Sequence, residues 1–191
     1  MYTIDRLCYN DQENRRFLRV DGQGSGASCA ARRLQKSDRE GGVSSHLQKD
    51  GRDDRMIRPV IRDMFFLAQK SEPATQGDLA VDRDLRDTLR ANRERCVGMA
   101  ANMIGVRKRV IIVSLGFADT VMYNPVLLSK DTPYETEEGC LSLDGARRTT
   151  RYQNIEVEYR NAAWKKRRER YSGWIAQIIQ HEMDHLDGVI I

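Results

Sequence analysis

The sequence predicts an α+β fold, with small antiparallel sheets packed around a C-terminal helix that carries a candidate metal site. Three observations lead there. Helical and strand-like patterns follow one another without the strand-helix-strand rhythm of a parallel sheet. Apolar and charged residues alternate cleanly over 155–160, as in a half-exposed strand. The stretch 172–186 is rich in apolar residues on both sides of a histidine pair.

Composition divides the 191 residues unequally. Large apolar residues make up about 20% of 1–55 and about 35% of 56–191, a contrast that separates a chain without a core from a packed domain. Residues 1–55 hold glycine-serine stretches and mixed charges without a sustained period, so they are expected to be a disordered or non-native N-terminal extension. The domain is expected over 56–191. Within it, Leu79, Val81, Leu85 and Leu89 among charges predict an amphipathic helix over 75–93, entered through Pro73-Ala74-Thr75. Residues 109–114 predict a short buried strand ended by Gly116, and 121–128 a second, interrupted at Asn124-Pro125. After the strand at 155–160, Asn161-Ala162-Ala163-Trp164 turns the chain into a partner strand over 165–171. The last helix runs over 172–186 with Ser172 as its N-cap, and Asp187-Gly188 closes it.

Charge excludes little and suggests little. The 32 basic and 28 acidic residues leave a net +4, too mild to argue for DNA or a membrane surface. No apolar run approaches the roughly 18 residues of a membrane-spanning helix. The first residues lack the basic and apolar regions of a secretory signal. Cys8, Cys29, Cys96 and Cys140 have no framework spacing, so reduced thiols and a cytoplasmic setting are expected.

The strongest chemical signal is Gln180-His181-Glu182-Met183-Asp184-His185. Residues four apart on a helix share a face, so His181 and His185 offer two imidazoles to one ion. Glu182 lies one step around, placed to act as a base on a water beside that ion. A catalytic site of this kind needs a third protein ligand. Gly188 fits the glycine of the longer H-x-x-G-x-x-H pattern, but Ile191 stands where its third histidine would be. The missing ligand is therefore sought upstream, and Cys140, next to the permissive Gly139, is the best candidate.

With these residues in view, the sequence resembles the peptide deformylases. Glu138-Gly139-Cys140-Leu141-Ser142 and the 180–185 segment match two of that family's three signature motifs, in the usual order. The third, G-x-G-L-A-A-x-Q, is represented by Cys96-Val97-Gly98-Met99-Ala100-Ala101-Asn102-Met103. The resemblance covers about 56–191 and implies removal of the formyl group from N-terminal formylmethionine of nascent polypeptides, releasing formate. It implies one divalent ion on Cys140, His181 and His185: Fe2+ in the typical bacterial member, with Zn2+ or Ni2+ as substitutes. Glu182 would move the proton of the attacking water to the departing amine. The backbone N–H of Leu141 and the amide of the motif's glutamine would steady the oxyanion.

That glutamine is Met103 here, and a thioether donates no hydrogen bond. Either turnover is slower or another donor serves, with Asn102 the nearest amide. Gly98 is retained, whereas Cys96 replaces the first glycine and narrows the groove in which the peptide would lie. Trp174 and Ile178 are candidates for the methionine pocket, and ordinary core packing explains them equally well. The basic run 165–170 reads as a solvated strand paired with Glu156 and Glu158, or as a weak attachment to the ribosome. Two further readings stay open: an amide hydrolase with another N-acyl substrate, and a low-activity or non-catalytic metal-binding protein of the same fold.

Overall fold

The computed structural model describes residues 56–191. The expectation for 1–55 lies outside the described residues. Met64–Leu67 forms a short helix, α1, whose first N–H groups are accepted by the Asp63 carboxylate. Ahead of it the chain is extended and pinned. Met56 N–H bonds Asp87, Arg58 N–H bonds Thr88, and Ile61 N–H bonds the Met103 carbonyl at 2.8 Å.

The helix expected over 75–93 is shorter. Gln76–Asp78 makes a 3-10 turn, because the Asp78 carboxylate accepts from both the N–H and the hydroxyl of Thr75. Only Val81–Ala91, α2, is α-helical, with Leu85, Thr88 and Leu89 inward as the spacing requires.

Five strands follow: β1 Gly98–Ala100, β2 Val110–Ser114, β3 Asp119–Cys140, β4 Leu143–Arg160 and β5 Lys166–Ser172. They form one antiparallel meander in the order β1-β2-β3-β4-β5. The several small sheets expected are thus a single continuous one. A 3-10 turn, Ala101–Ile104, joins β1 to the loop before β2. Four of the five residues of β2 are fully buried, since the sheet covers its edges and helices cover its faces.

The second expected strand does not end near 128. Asn124-Pro125 produces a bulge, with Asn124 left-handed at φ 51° and pairing resumed at Val126. Both ends of the Asn124 amide grip Ala74, accepting from its N–H at 2.7 Å and donating to its carbonyl at 2.9 Å. The strand then runs on to Cys140, and β4 returns after the two-residue turn Leu141-Ser142. The alternation at 155–160 is as read: Ile155, Val157 and Tyr159 are buried. Asn161 closes the β4–β5 turn by accepting from Ala163 and Lys165 N–H. Cross-strand ion pairs Lys166–Glu158, Arg168–Glu156 and Arg170–Glu156 hold the basic strand.

The last helix, α3, spans Gly173–Leu186. Ser172 occupies the N-cap position, but its hydroxyl makes no capping bond. Asp187 caps the other end, and Gly188 follows with φ +74°, where a side chain would run into the Ala68 carbonyl. α3 packs on β1, β2 and β4 and is buried along most of its length. Among the described residues no helix is long and apolar enough to cross a membrane.

Candidate metal centre

The β3–β4 turn and α3 meet at one place. The turn holds Cys140 at the tip of β3, and α3 presents His181 and His185 one turn apart. Cys140 Sγ is 3.2 Å from His185 Nε2, and the two histidine Nε2 atoms are 3.2 Å apart. All three donor atoms lie within 4.8 Å of one another. Ligands placed tetrahedrally at about 2.0–2.3 Å from one ion are separated by roughly 3.3–3.7 Å, so the cluster is close to the required size. A thiol and two imidazoles are also the right chemistry for a first-row divalent ion. Among the described residues, neither Cys96 nor Cys140 is joined in a disulfide.

Glu138, two residues before Cys140 on the same strand, is fully buried. One oxygen faces His181 Nδ1 at 2.8 Å and Arg151 Nη2 at 2.6 Å; the other accepts from Arg151 Nε and Gln177. Burial opposes its charge, but the bonds from Arg151 and His181 outweigh burial and hold the carboxyl down at about 2. Arg151 continues to Asp184 Oδ2 at 2.5 Å, tying β4 to α3. With Nδ1 engaged by Glu138, His181 turns Nε2 toward Cys140 and His185. Burial and the neighbouring His181 and Arg151 charges push His185 to about 3, leaving it a neutral imidazole.

Glu182 is buried beside this cluster, and its Oε2 has no protein partner. Burial raises its carboxyl to about 7, within the range where a group can both take and return a proton near neutrality. An unpaired buried carboxylate oxygen is costly unless something absent from the protein chain completes it. The three donors and this orphaned oxygen therefore fit an ion with a water beside it.

A cleft of about 290 Å³ opens onto the cluster and is lined by Cys140, His181 and Glu182 together with Gly98, Met103 and Leu141. Gly98 is needed for close packing: a Cβ there would lie 2.6 Å from Ile178 Cγ2 and 2.7 Å from Glu182 Oε1. Ile178 is thus a support beneath Gly98, buried in the core and outside the cleft lining. Trp174 is also outside the lining and 45% exposed. It stands two turns before His181, about 10 Å along the helix axis from the cluster.

Met103 is buried and accepts the Ala100 N–H at Sδ, 3.4 Å away. Asn102 is not its substitute. It is fully buried with Nδ2 donating to the His185 carbonyl at 2.7 Å, so it braces the ligand helix. Cys96 lines the cleft as expected, with Sγ 2.7 Å from the Gly98 carbonyl. Glu138, Arg151, Gln177 and Asp184 were not expected as site residues. Two of them left a trace in the spacing: alternation puts Glu138 on the same face of the strand as Cys140, and Gln177 lies four residues before His181 on the same face of the helix.

Three convergent donors, an orphaned carboxylate and a cleft above them define a metal-dependent hydrolase. The sequence model of the polypeptide deformylase family matches residues 53–191. A peptide deformylase from Clostridium beijerinckii is 56% identical over 136 residues, covering 71% of this chain and 100% of that protein. Among solved structures, the Met-Ala-Ser-bound class I type b peptide deformylase from Acinetobacter baumannii aligns with TM-score 0.64 and 26% identity. That match covers 71% of this chain and 96% of the other. The peptide deformylase from Thermotoga maritima aligns with TM-score 0.63 and 28% identity, over 71% and 94%.

The chain belongs to the polypeptide deformylase family. It is a hydrolase that removes the N-formyl group from new polypeptides, and that family is metal-dependent. The reading as a low-activity or non-catalytic relative is not favoured.

Proposed function

We propose that deformylation takes place at one divalent ion, Fe2+, held by Cys140 and by His181 and His185 in the C-terminal half of α3, with Glu182 as the proton carrier. The observation that carries this reading is the convergence of three donor atoms within 4.8 Å beside a buried carboxylate. When bound, the ion supplies acidity to a water and polarity to the formyl carbonyl. Glu182 takes the proton of the water that attacks the formyl carbon. It then delivers that proton to the amine nitrogen as the carbon–nitrogen bond breaks, giving formate and a free N-terminus.

Leu141 contributes its backbone N–H to the developing oxyanion, and Met103 shapes that side of the cleft without donating. Glu138, Arg151 and Asn102 are positioning residues. The first two fix the His181 ring, and the third fixes the backbone of His185. Residues 56–191 are proposed to be sufficient for this activity, supported by the family match over 53–191. A chain beginning at Met56 tests that: it should bind one ion and release formate, and failure of this chain to fold would refute it. We also assign the exposed cations of β5, Arg167 among them, to weak salt-dependent contact with ribosomal RNA in the cytoplasm. Co-sedimentation with ribosomes that is absent, or insensitive to salt, refutes the contact.

Metal analysis tests the ligand set. Cys140→Ser, His181→Ala and His185→Ala should each lose most of the bound ion while remaining folded. Retention of one ion per chain by any of them would remove that residue from the centre.

A further inference from the structure

The rim of the same cleft carries charge that neither the donor cluster nor the base uses. Arg62, Arg95 and Asp144 all line it. Arg62 reaches Asp144 only at 3.4 Å, with 58% and 98% of the two side chains exposed, so this pair is long and bathed in solvent. Its members come from separate parts of the fold: the segment before α1 and the start of β4. Arg95 stands in the turn after α2, positioned through its N–H bond to the Asn92 carbonyl. Its side chain is exposed, and among the described residues its guanidinium has no hydrogen bond or ion pair. The contrast with Arg93 is direct, since that guanidinium is tied to Asp119 at 2.5 Å. Glu94 is exposed but is not part of the lining. The rim therefore presents two guanidinium groups against one carboxylate, and that carboxylate already faces Arg62.

Substrate geometry gives this charge a use. The inference rests on the proposed centre: the formyl carbon must sit at the floor, beside Cys140, His181 and Glu182. An extended peptide advances about 3.3 Å per residue, so the residues after the formylmethionine leave the floor and cross the rim within roughly 7–10 Å. We propose that Arg95, assisted by Arg62, is a specificity-determining residue that favours formylated chains with an acidic side chain in the two residues after formylmethionine. The interaction is a solvent-exposed charge contact, so it modulates selection by severalfold and weakens with salt.

The test uses the full metal-loaded chain and three amidated peptides, formyl-Met-Ala-Glu, formyl-Met-Ala-Gln and formyl-Met-Ala-Lys, with formate release as readout. The kcat/KM values should fall in that order, with the Glu peptide about fivefold above the Lys peptide at low salt. The ratio should shrink toward one at high salt. Arg95→Ala should reduce it, and Arg95→Glu should invert the order, which a merely structural role would not do. Equal kcat/KM for all three peptides, or an unchanged order in Arg95→Glu, would overturn the selection while leaving deformylation standing. Formate from none of the three would refute the centre on which the proposal rests, and the proposal with it.

Discussion

A single methyl group at Gly98 should disable the enzyme without unfolding it. The Cβ of Gly98→Ala would lie 2.6 Å from Ile178 Cγ2, 2.7 Å from Glu182 Oε1 and 3.1 Å from Glu182 Cγ. Ile178 is 1% exposed and packed in the core, so it yields little. Glu182 borders the open cleft and yields more. Restoring ordinary van der Waals contact moves its carboxylate by about 0.7 Å, comparable to the 1 Å displacements that cost about 100-fold in rate. The overpacking itself costs roughly 1–3 kcal/mol. We therefore expect formate release by Gly98→Ala to fall about 100-fold with one ion still bound and melting lowered by only several degrees. Paired assays of formate, metal content and thermal unfolding check this. Wild-type turnover in the variant would show that the Glu182 carboxylate does not work from the position described. Loss of the ion would show that the methyl acts through the ligands instead.

Three other outcomes follow from the same geometry. Met103→Gln adds a side-chain N–H to the cleft wall and should raise kcat about tenfold, whereas an unchanged kcat would show that no side-chain donor is wanted there. Arg151→Met leaves Glu138 charged, buried and short of partners, so it should cost about 3–5 kcal/mol in unfolding experiments and weaken metal binding about 10- to 100-fold. A variant as stable as wild type would mean that the buried ion pair is dispensable. Because folding depresses the Glu138 carboxyl from 4.5 to about 2, its contribution to metal-free stability is complete above pH 4.5. That contribution, about 3 kcal/mol, is lost as pH falls toward 2, and acid unfolding of wild type should be correspondingly steeper than that of Glu138→Gln. Coincident acid profiles would contradict it.

What could be read from the sequence was what local geometry dictates. Helical spacing alone puts His181 and His185 on one face, and the alternation of Ile155, Val157 and Tyr159 alone fixes the inward side of β4. The strand pairing across 129–151 was not legible, because most of those residues are exposed or half-buried and show no apolar alternation. With that ladder hidden, so was the register that sets Tyr134 opposite Arg151 and brings Arg151 back onto Glu138. The bulge at Asn124-Pro125 reads as an interruption in one dimension; only the distant Ala74, held by the Asn124 amide, lets the strand continue. Asn102 was misassigned for the same reason: its partner, the His185 carbonyl, is 83 residues away.

Proton transfer by Glu182 at an ion held by Cys140, His181 and His185 is tested most directly by formate release from Glu182→Gln at matched metal content. The substitution keeps the shape of the side chain and removes its basicity. One ion per chain is expected in both proteins, with turnover reduced at least 100-fold in the variant. Turnover near wild type in a fully metal-loaded Glu182→Gln would contradict it.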